Sequence, residues 1–419
     1  MTASHLERKP IRSHSVPAAE ALLELVRHDA VARPSGRLSE LLAGEEARSA
    51  LQVLAARHGV LGVVLAGLGA AAPGDPVLAS RCATLLAQRP AIRKQAVMWD
   101  LETDRLLRLL DDAGLRPVTL KGAALRVSAY HDSAQRSFGD VDLLLPASDI
   151  ERAIASLEAA GYALGDAATV ARFEQLHFHH QLTNAMGFQV ELHWDLTQPD
   201  AAIRLLPERF MARSRTLERP GAPPIRIPSP EDMVLHLASQ EVEDWFSTIR
   251  RLVDIDRVVR SEAAFDWSYL RSAAAEARMS QLLGFTLQLT RRLLSTPMPD
   301  GFVQSLELSR AARFHLALLD PVTSVLTSYS RRRVTASRFM AIWLCPDSRT
   351  RWGTIREIAT DQFDSFGAAV VEGAPPAPLR GMVGLAKLGS LWGGLYLRRG
   401  VAVALQSALG HRDFWGGSA

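Results

Sequence analysis

The sequence predicts an α+β fold, in which a small mixed sheet is flanked by helical regions on its N-terminal and C-terminal sides. Three observations support this prediction. Apolar residues recur at three- and four-residue spacing through residues 17–94, strand-like runs alternate with helices through residues 95–215, and helical spacing returns after residue 229. Because helices and strands repeat with different periods, these changes of spacing mark where one kind of element gives way to the other.

The predicted core, residues 95–215, begins with a helix that ends at Gly114. A strand, RPVTL, follows, and a helix entered through Gly122 separates it from a second strand, DVDLLLP. A helix that starts at Ser148 or Asp149 and ends at Gly161 comes next. Two further runs, FHHQLTN and FQVELHWDL, are joined only by AMG, which predicts two strands with a tight connection.

The flanks of the core are predicted to be helical. Residues 1–16 are polar and mixed in charge, which predicts a disordered lead-in before the N-terminal helical region. The proline-rich segment ERPGAPPIRIPSPED predicts a boundary, and Ser229 then caps the first helix of a helical domain over residues 229–371. A second linker precedes a helical tail, residues 381–419.

Composition limits the classes of protein to be considered. The 419 residues are 47% hydrophobic and carry a net charge of only +3, which predicts globular domains and does not favour nucleic acid as a partner. Two distant cysteines, Cys82 and Cys345, suit a reducing compartment, so we expect a cytoplasmic protein. The segment Gly381–Gly400 is interrupted by Lys387 and is too short in its apolar core to span a bilayer. Contact of this tail with a membrane surface is the less favoured interpretation.

Two aspartates separated by one residue, Asp140 and Asp142, stand at the start of the strand DVDLLL. Side chains alternate along a strand, so both carboxylates point to one face while Val141 points to the other. Two like charges held close together are costly unless a cation neutralises them. A lone Asp-x-Asp is weak evidence for function. The arrangement nevertheless raises the hypothesis of a cation site.

Further residues make the hypothesis more specific. LKGAAL supplies a glycine-containing turn upstream, DVDLLL the acidic pair, and VELHW a third carboxylate, Glu191. In this order the chain resembles the nucleotidyltransferases of the DNA polymerase β superfamily, and more narrowly the uncharacterised nucleotidyltransferase family 5 group, from about Leu120 to Leu196. Where that superfamily has Gly-Gly or Gly-Ser at the turn, this chain has Lys121 and Gly122.

The resemblance implies an enzyme. Its reaction would move a nucleoside monophosphate from a triphosphate, with ATP expected, to a hydroxyl of an unknown small-molecule, peptide or protein acceptor, and would release pyrophosphate. Asp140, Asp142 and Glu191 would bind Mg²⁺, with Mn²⁺ as an alternative. Lys121, Gly122 and Arg136 would contact the phosphates. The rival hypothesis is a non-catalytic nucleotide-binding or regulatory module with the same fold.

Several side chains have more than one interpretation. Arg136 could instead pair with Asp132 or cap its loop, and Lys121 could be a solvated turn residue. His177, His179 and His193 could bind a transition metal, although packing or substrate contact is favoured because no carboxylate or cysteine stands at zinc-ligand spacing in sequence. Two other groups are explained adequately without a site: the basic run SRRRVTASR as a solvated helix face, and Trp245, Arg250 and Asp254 as one packed helix face.

Overall fold

The computed structural model describes most of the chain up to residue 318. The described residues are 15–27, 36–165, 178–197, 203–243, 246, 248–306, 308–318 and 322. Several predictions concern residues outside these ranges: the lead-in before residue 15, His177, Trp245, Cys345, the basic run from Ser330 and the tail 381–419. Within the described ranges, no helix is both long enough and apolar enough to cross a bilayer.

Helices make up most of the described structure. The fifteen that the described residues form are α1 Ser15–Val26, α2 Gly36–Leu41, α3 Glu45–Arg57, α4 Leu61–Ala71, α5 Pro76–Arg81, α6 Ala83–Leu86, α7 Arg89–Asp112, α8 Lys121–Ser128, α9 Ile150–Ala159, α10 Pro207–Arg213, α11 Pro230–Glu243, α12 Arg250–Ser261, α13 Trp267–Glu276, α14 Ser280–Leu294 and α15 Arg310–Leu318. Within the described ranges, strands occur only between α7 and α11, so the predicted α+β class is confirmed.

Seven strands form one mixed sheet. In chain order they are β1 Val118–Thr119, β2 Asp140–Leu144, β3 Tyr162–Leu164, β4 His179–Asn184, β5 Gln189–His193, β6 Arg215–Leu217 and β7 Ile225–Ile227. Their order across the sheet is β3-β4-β5-β2-β1-β7-β6. The pairs β2–β5 and β1–β7 are parallel, and the other neighbours are antiparallel. The predicted strand pair around AMG is the β4–β5 hairpin.

The sheet continues beyond the predicted end of the core. We predicted the core to stop at residue 215 and the following proline-rich segment to be a boundary, whereas β7 lies inside that segment and pairs in parallel with β1. Its three residues stand between prolines, and so short a run has too little alternation to be recognised locally. Pairing with the distant β1 places this strand in the sheet.

Helix ends follow the local chemistry in several places. The predicted C-terminal glycine of α7, Gly114, has a φ of +70°, a conformation that glycine adopts without strain. Gly161 plays the same part after α9, with a φ of +90°. The predicted cap of α11 is also observed, because the Ser229 hydroxyl accepts a hydrogen bond from the Asp232 backbone N–H.

Both flanks pack together around the sheet. The carbonyl of Val26, at the end of α1, accepts a hydrogen bond from the Arg257 guanidinium on α12. Arg27 in turn donates to the carbonyl of Leu293 on α14, which lies 266 residues further along the chain. One contiguous apolar cluster extends from α1 through the inner face of the sheet to α15. The N-terminal helices and the helices after β7 therefore contribute to the same core.

Candidate active site

The carboxylates predicted for the site are brought together by the pairing of β2 with β5. In this parallel register Asp142 lies directly opposite Glu191, and Asp140 lies opposite Gln189. Val141 and Leu143, which alternate with the aspartates, are fully buried on the other face. The alternation predicted from the sequence therefore holds, and it places three carboxylates on one face of two neighbouring strands.

Asp142 is the most enclosed of the three carboxylates. Its side chain is 1% exposed, and its Oδ1 accepts a hydrogen bond from the Lys121 ammonium at 2.5 Å. The Nε2 of His193 lies 3.0 Å from the same oxygen. Burial opposes the charge of Asp142, but the ammonium and the imidazole outweigh burial, and the pKa of this carboxyl lies well below its usual range. Asp142 is therefore ionised and already neutralised by neighbouring side chains.

Asp140 is in the opposite electrostatic situation. Burial, followed by repulsion from Asp142 and Glu191, raises its pKa to about 6, although the charges of Lys121 and Arg250 act in the other direction. A carboxyl whose charge is disfavoured in this way gains most from a bound cation. The donor set of three carboxylates on one face consists of hard oxygen ligands, which fit Mg²⁺.

Glu191 lies on β5, between β4 and β2 in the sheet, and is partly open to solvent, with 15% of its side chain exposed. Its Oε2 lies 3.2 Å from Nε2 of His193 and 4.0 Å from Nζ of Lys121. Its Oε1 lies 3.7 Å from Nε2 of His179. Both carboxylate oxygens therefore face a nitrogen of a neighbouring side chain.

Lys121 lies at the centre of the charge arrangement. Burial lowers the pKa of its ammonium, but Asp142 and Glu191 outweigh burial and the net shift is upward. Its backbone has a φ of +46°, a left-handed conformation that costs a residue with a side chain about 1–3 kcal/mol. The hydrogen bond to Asp142 is made from this conformation, at the first residue of α8. Such strain beside buried charges is characteristic of functional sites.

Gly122 allows close packing at the start of α8. The helix begins at Lys121 and Gly122, as predicted, and the residue with a left-handed backbone is Lys121. At Gly122 a Cβ atom would stand 2.5 Å from Cβ of Phe138, so the position has no room for a side chain. The glycine lets α8 approach the loop that leads into β2, and this approach brings Lys121 over the carboxylates.

Arg136 is not placed as a phosphate contact. Its guanidinium is 6% exposed and forms a two-point ion pair with Asp254 of α12, with Nε–Oδ1 and Nη2–Oδ2 distances of 2.8 and 2.9 Å. The Tyr130 hydroxyl donates to the same carboxylate at 2.7 Å. The alternative pairing with Asp132 is also absent among the described contacts, because Asp132 pairs with Arg93 at 2.6 Å. Arg136 joins the loop before β2 to the helical flank.

Two residues that the sequence did not identify as site residues belong to the surroundings of the carboxylates. Arg250, interpreted from sequence as part of a packed helix face, begins α12 and acts electrostatically on Asp140. His236 of α11 is 1% exposed, and neither ring nitrogen has a hydrogen-bond partner among the described residues. Burial, followed by the charge of Lys121, lowers the pKa of His236 to about 3, so this ring is neutral. A single histidine in an amphipathic helix carries no local signal that its side chain will be buried near the carboxylates.

His179 and His193, the two histidines considered from sequence that lie among the described residues, both reach the site. His179 on β4 lies opposite His193 on β5, and their ring centroids are 4.8 Å apart. His193 is 3% exposed, and its Nδ1 has no hydrogen-bond partner among the described residues. Burial lowers the pKa of His193, but hydrogen bonds to Asp142 and Glu191 outweigh burial and the net shift is upward. The imidazoles are thus neighbours of the carboxylates and are not confined to packing.

The neighbouring strands β2 and β5 present three carboxylates to one face beside the start of α8, which is the arrangement that the resemblance to nucleotidyltransferases implied. The family described as uncharacterised nucleotidyltransferase matches residues 45–295 of the 419. The match covers more than half of the chain, which therefore belongs to this family, as the resemblance predicted. A comparison with curated proteins finds no match.

Proposed function

We propose that this chain transfers a nucleoside monophosphate, with ATP as the expected donor, to a hydroxyl of a small-molecule, peptide or protein acceptor in the cytoplasm, and releases pyrophosphate. The observation that carries the proposal is the register of β2 and β5, which sets Asp142 opposite Glu191 with Asp140 on the same face. Membership of a nucleotidyltransferase family supports the general reaction.

The three carboxylates fit Mg²⁺, with Mn²⁺ as an alternative. Their oxygens are hard ligands on one face, and burial, followed by repulsion from Asp142 and Glu191, raises the pKa of Asp140. When bound, the metal would supply electrostatic stabilisation of the phosphate oxygens. Asp140, Asp142 and Glu191 would hold it, and Glu191, whose side chain is 15% exposed, would accept the proton of the acceptor hydroxyl.

Cationic side chains would contact the phosphates. Lys121 would contribute its ammonium, and Gly122 the backbone N–H at the start of α8. Both arginines act electrostatically on Asp140, but the guanidinium of Arg136 is bound by Asp254, so Arg250 replaces Arg136 in this proposal. Arg136 then has the structural role of fixing the loop that leads into β2.

One observation favours the rival hypothesis of a non-catalytic nucleotide-binding or regulatory module. The Lys121 ammonium contacts Asp142 at 2.5 Å and already neutralises one of the carboxylates that a metal would need. In an active enzyme, binding of the triphosphate would draw this ammonium toward the phosphates. In a non-catalytic module, the ion pair would persist in the nucleotide complex.

The test is transfer of label. Purified protein, cell extract and Mg²⁺ are incubated with each of the four α-labelled nucleoside triphosphates in turn, and labelled products are analysed by mass spectrometry. We expect one labelled acceptor class, and we expect no product with Asp140→Asn. If the wild-type chain binds nucleotide but forms no more labelled acceptor than Asp140→Asn does, the result would support the non-catalytic module.

A further inference from the structure

A group of nitrogen and oxygen donors lies at the β4–β5 edge of the carboxylates. One ligand atom each from His179, Glu191 and His193 lies within 4.8 Å of the others. The three residues come from the same face of a paired hairpin, because His179 is opposite His193 and Glu191 is two residues before it on β5. Antiparallel pairing therefore holds all three side chains together without help from a loop.

The distances within this group approach those around a metal ion. Zinc–nitrogen and zinc–oxygen bonds of about 2.0–2.2 Å place neighbouring ligands of a tetrahedral ion about 3.3–3.6 Å apart. Here Oε2 of Glu191 is 3.2 Å from Nε2 of His193, and Oε1 is 3.7 Å from Nε2 of His179. The two distances involve different oxygens of Glu191, and one ligand atom from each of the three residues lies within 4.8 Å of the others.

The donors differ in kind from those of a magnesium site. Mg²⁺ takes oxygen ligands, whereas imidazole nitrogen favours Zn²⁺ and Co²⁺. Two histidines and one glutamate form a recognised zinc set that leaves a fourth position open. The sequence argued against zinc because no carboxylate stood at ligand spacing along the chain, and the hairpin supplies one from the neighbouring strand.

We propose that His179, Glu191 and His193 form a binding site for a zinc-class divalent ion, such as Zn²⁺ or Co²⁺. The inference depends on the proposed function only in that both use Glu191. Binding of the ion forms bonds to Nε2 of each imidazole, and any proton on these nitrogens is released to solvent. Asp142 remains with Lys121, and the fourth position is open to water or to a substrate oxygen.

The test measures metal binding by the full-length chain in the absence of nucleotide. Isothermal titration of metal-stripped protein should show one Zn²⁺ site at least about a hundredfold tighter than any Mg²⁺ site, as imidazole ligation implies. His179→Gln and His193→Gln should each weaken Zn²⁺ binding by about tenfold or more, since even supporting contacts of metal ligands change affinity by about that much. His180→Gln is the matched control, because His180 lies on the same strand, pairs with Leu192 and packs against Trp194.

A measurement on the unaltered protein covers the case in which a histidine variant does not fold. Co²⁺-loaded wild type should show paramagnetically shifted imidazole N–H proton signals from two histidines. Zn²⁺ binding no tighter than Mg²⁺ binding, equal affinity in the histidine variants and the control, or a Co²⁺ spectrum without shifted imidazole signals would each overturn the proposal.

Asp140→Asn separates this inference from the proposed function. Asp140 is not one of the three ligands, so this variant should keep Zn²⁺ affinity within about twofold while losing nucleotide transfer. Loss of Zn²⁺ selectivity with transfer intact would overturn only the zinc-class site. Zn²⁺ binding in a chain that transfers no nucleotide would overturn only the transferase.

Discussion

Replacement of Arg136 by methionine should lower the stability of the fold, and this loss of stability should be its main effect, ahead of any effect on nucleotide binding. Asp254 is fully buried, and Arg136 supplies two of the hydrogen bonds to its carboxylate, at 2.8 and 2.9 Å. In Arg136→Met only the Tyr130 hydroxyl still donates to this carboxylate among the described contacts. Leaving a buried charge unpaired costs about 3–5 kcal/mol, and we expect a loss of this size in the free energy of unfolding.

Urea unfolding followed by circular dichroism measures the effect, and the chain offers a matched control. Arg93 pairs with Asp132 at 2.6 Å, but its side chain is 63% exposed, so Arg93→Met should cost no more than about 1 kcal/mol. The double variant Arg136→Met/Asp254→Leu removes both buried charges, and should be more stable than Arg136→Met alone. If Arg136→Met unfolds at the same urea concentration as Arg93→Met but binds triphosphate more weakly, Arg136 is a phosphate contact and our assignment of its role is wrong.

Three further predictions concern the carboxylates and the lysine. Asp140→Asn and Asp142→Asn should each abolish transfer. Thermal unfolding without metal should show that Asp140→Asn is more stable than wild type above about pH 6, where Asp140 of the wild type is charged despite its raised pKa, and that this gain disappears as the pH falls toward 3.8. Asp142→Asn should be less stable than wild type, because Lys121 loses its partner. Glu191→Gln should bind nucleotide normally in calorimetry but turn over poorly, and equal turnover would assign the third carboxylate elsewhere. Lys121→Ala and Lys121→Gly should both bind triphosphate about ten- to a hundredfold more weakly, with little change for monophosphate, and the glycine variant should be the more stable by about 1 kcal/mol because it relieves the left-handed backbone. Equal loss for both ligands, or none, would show that Lys121 has only a structural role.

The acidic pair was predictable because strand alternation is a local property. Asp140 and Asp142 share a face in any strand that contains them, and the apolar residues between and after them fix which face is buried. Glu191 was identified through the family resemblance, and the parallel register of β2 with β5 then placed it opposite Asp142. Local patterns and an ordered motif were therefore enough to locate these three carboxylates.

Contacts between distant parts of the chain were not predictable in the same way. Arg136 and Asp254 are 118 residues apart, so neither residue carries a local signal of the other. Lys121 was expected to face phosphate, but its contact with Asp142 depends on how closely α8 approaches β2. The histidines were judged by spacing along the chain, whereas their geometry depends on which strand lies beside β5. In each case tertiary packing decided among side-chain roles that the sequence left open.

The hydrogen bond from Arg27 to the Leu293 carbonyl has a consequence for synthesis on the ribosome. The two partners are separated by 266 residues, and at about 5–20 residues per second their appearance differs by roughly 13–50 s. During that interval α1 can pack against α3 and α4, but it cannot reach α14 or the Arg257 side chain. The nascent chain therefore presents part of an apolar helix for many seconds before α14 emerges. Holding by a chaperone during translation would protect this surface until the C-terminal flank is made.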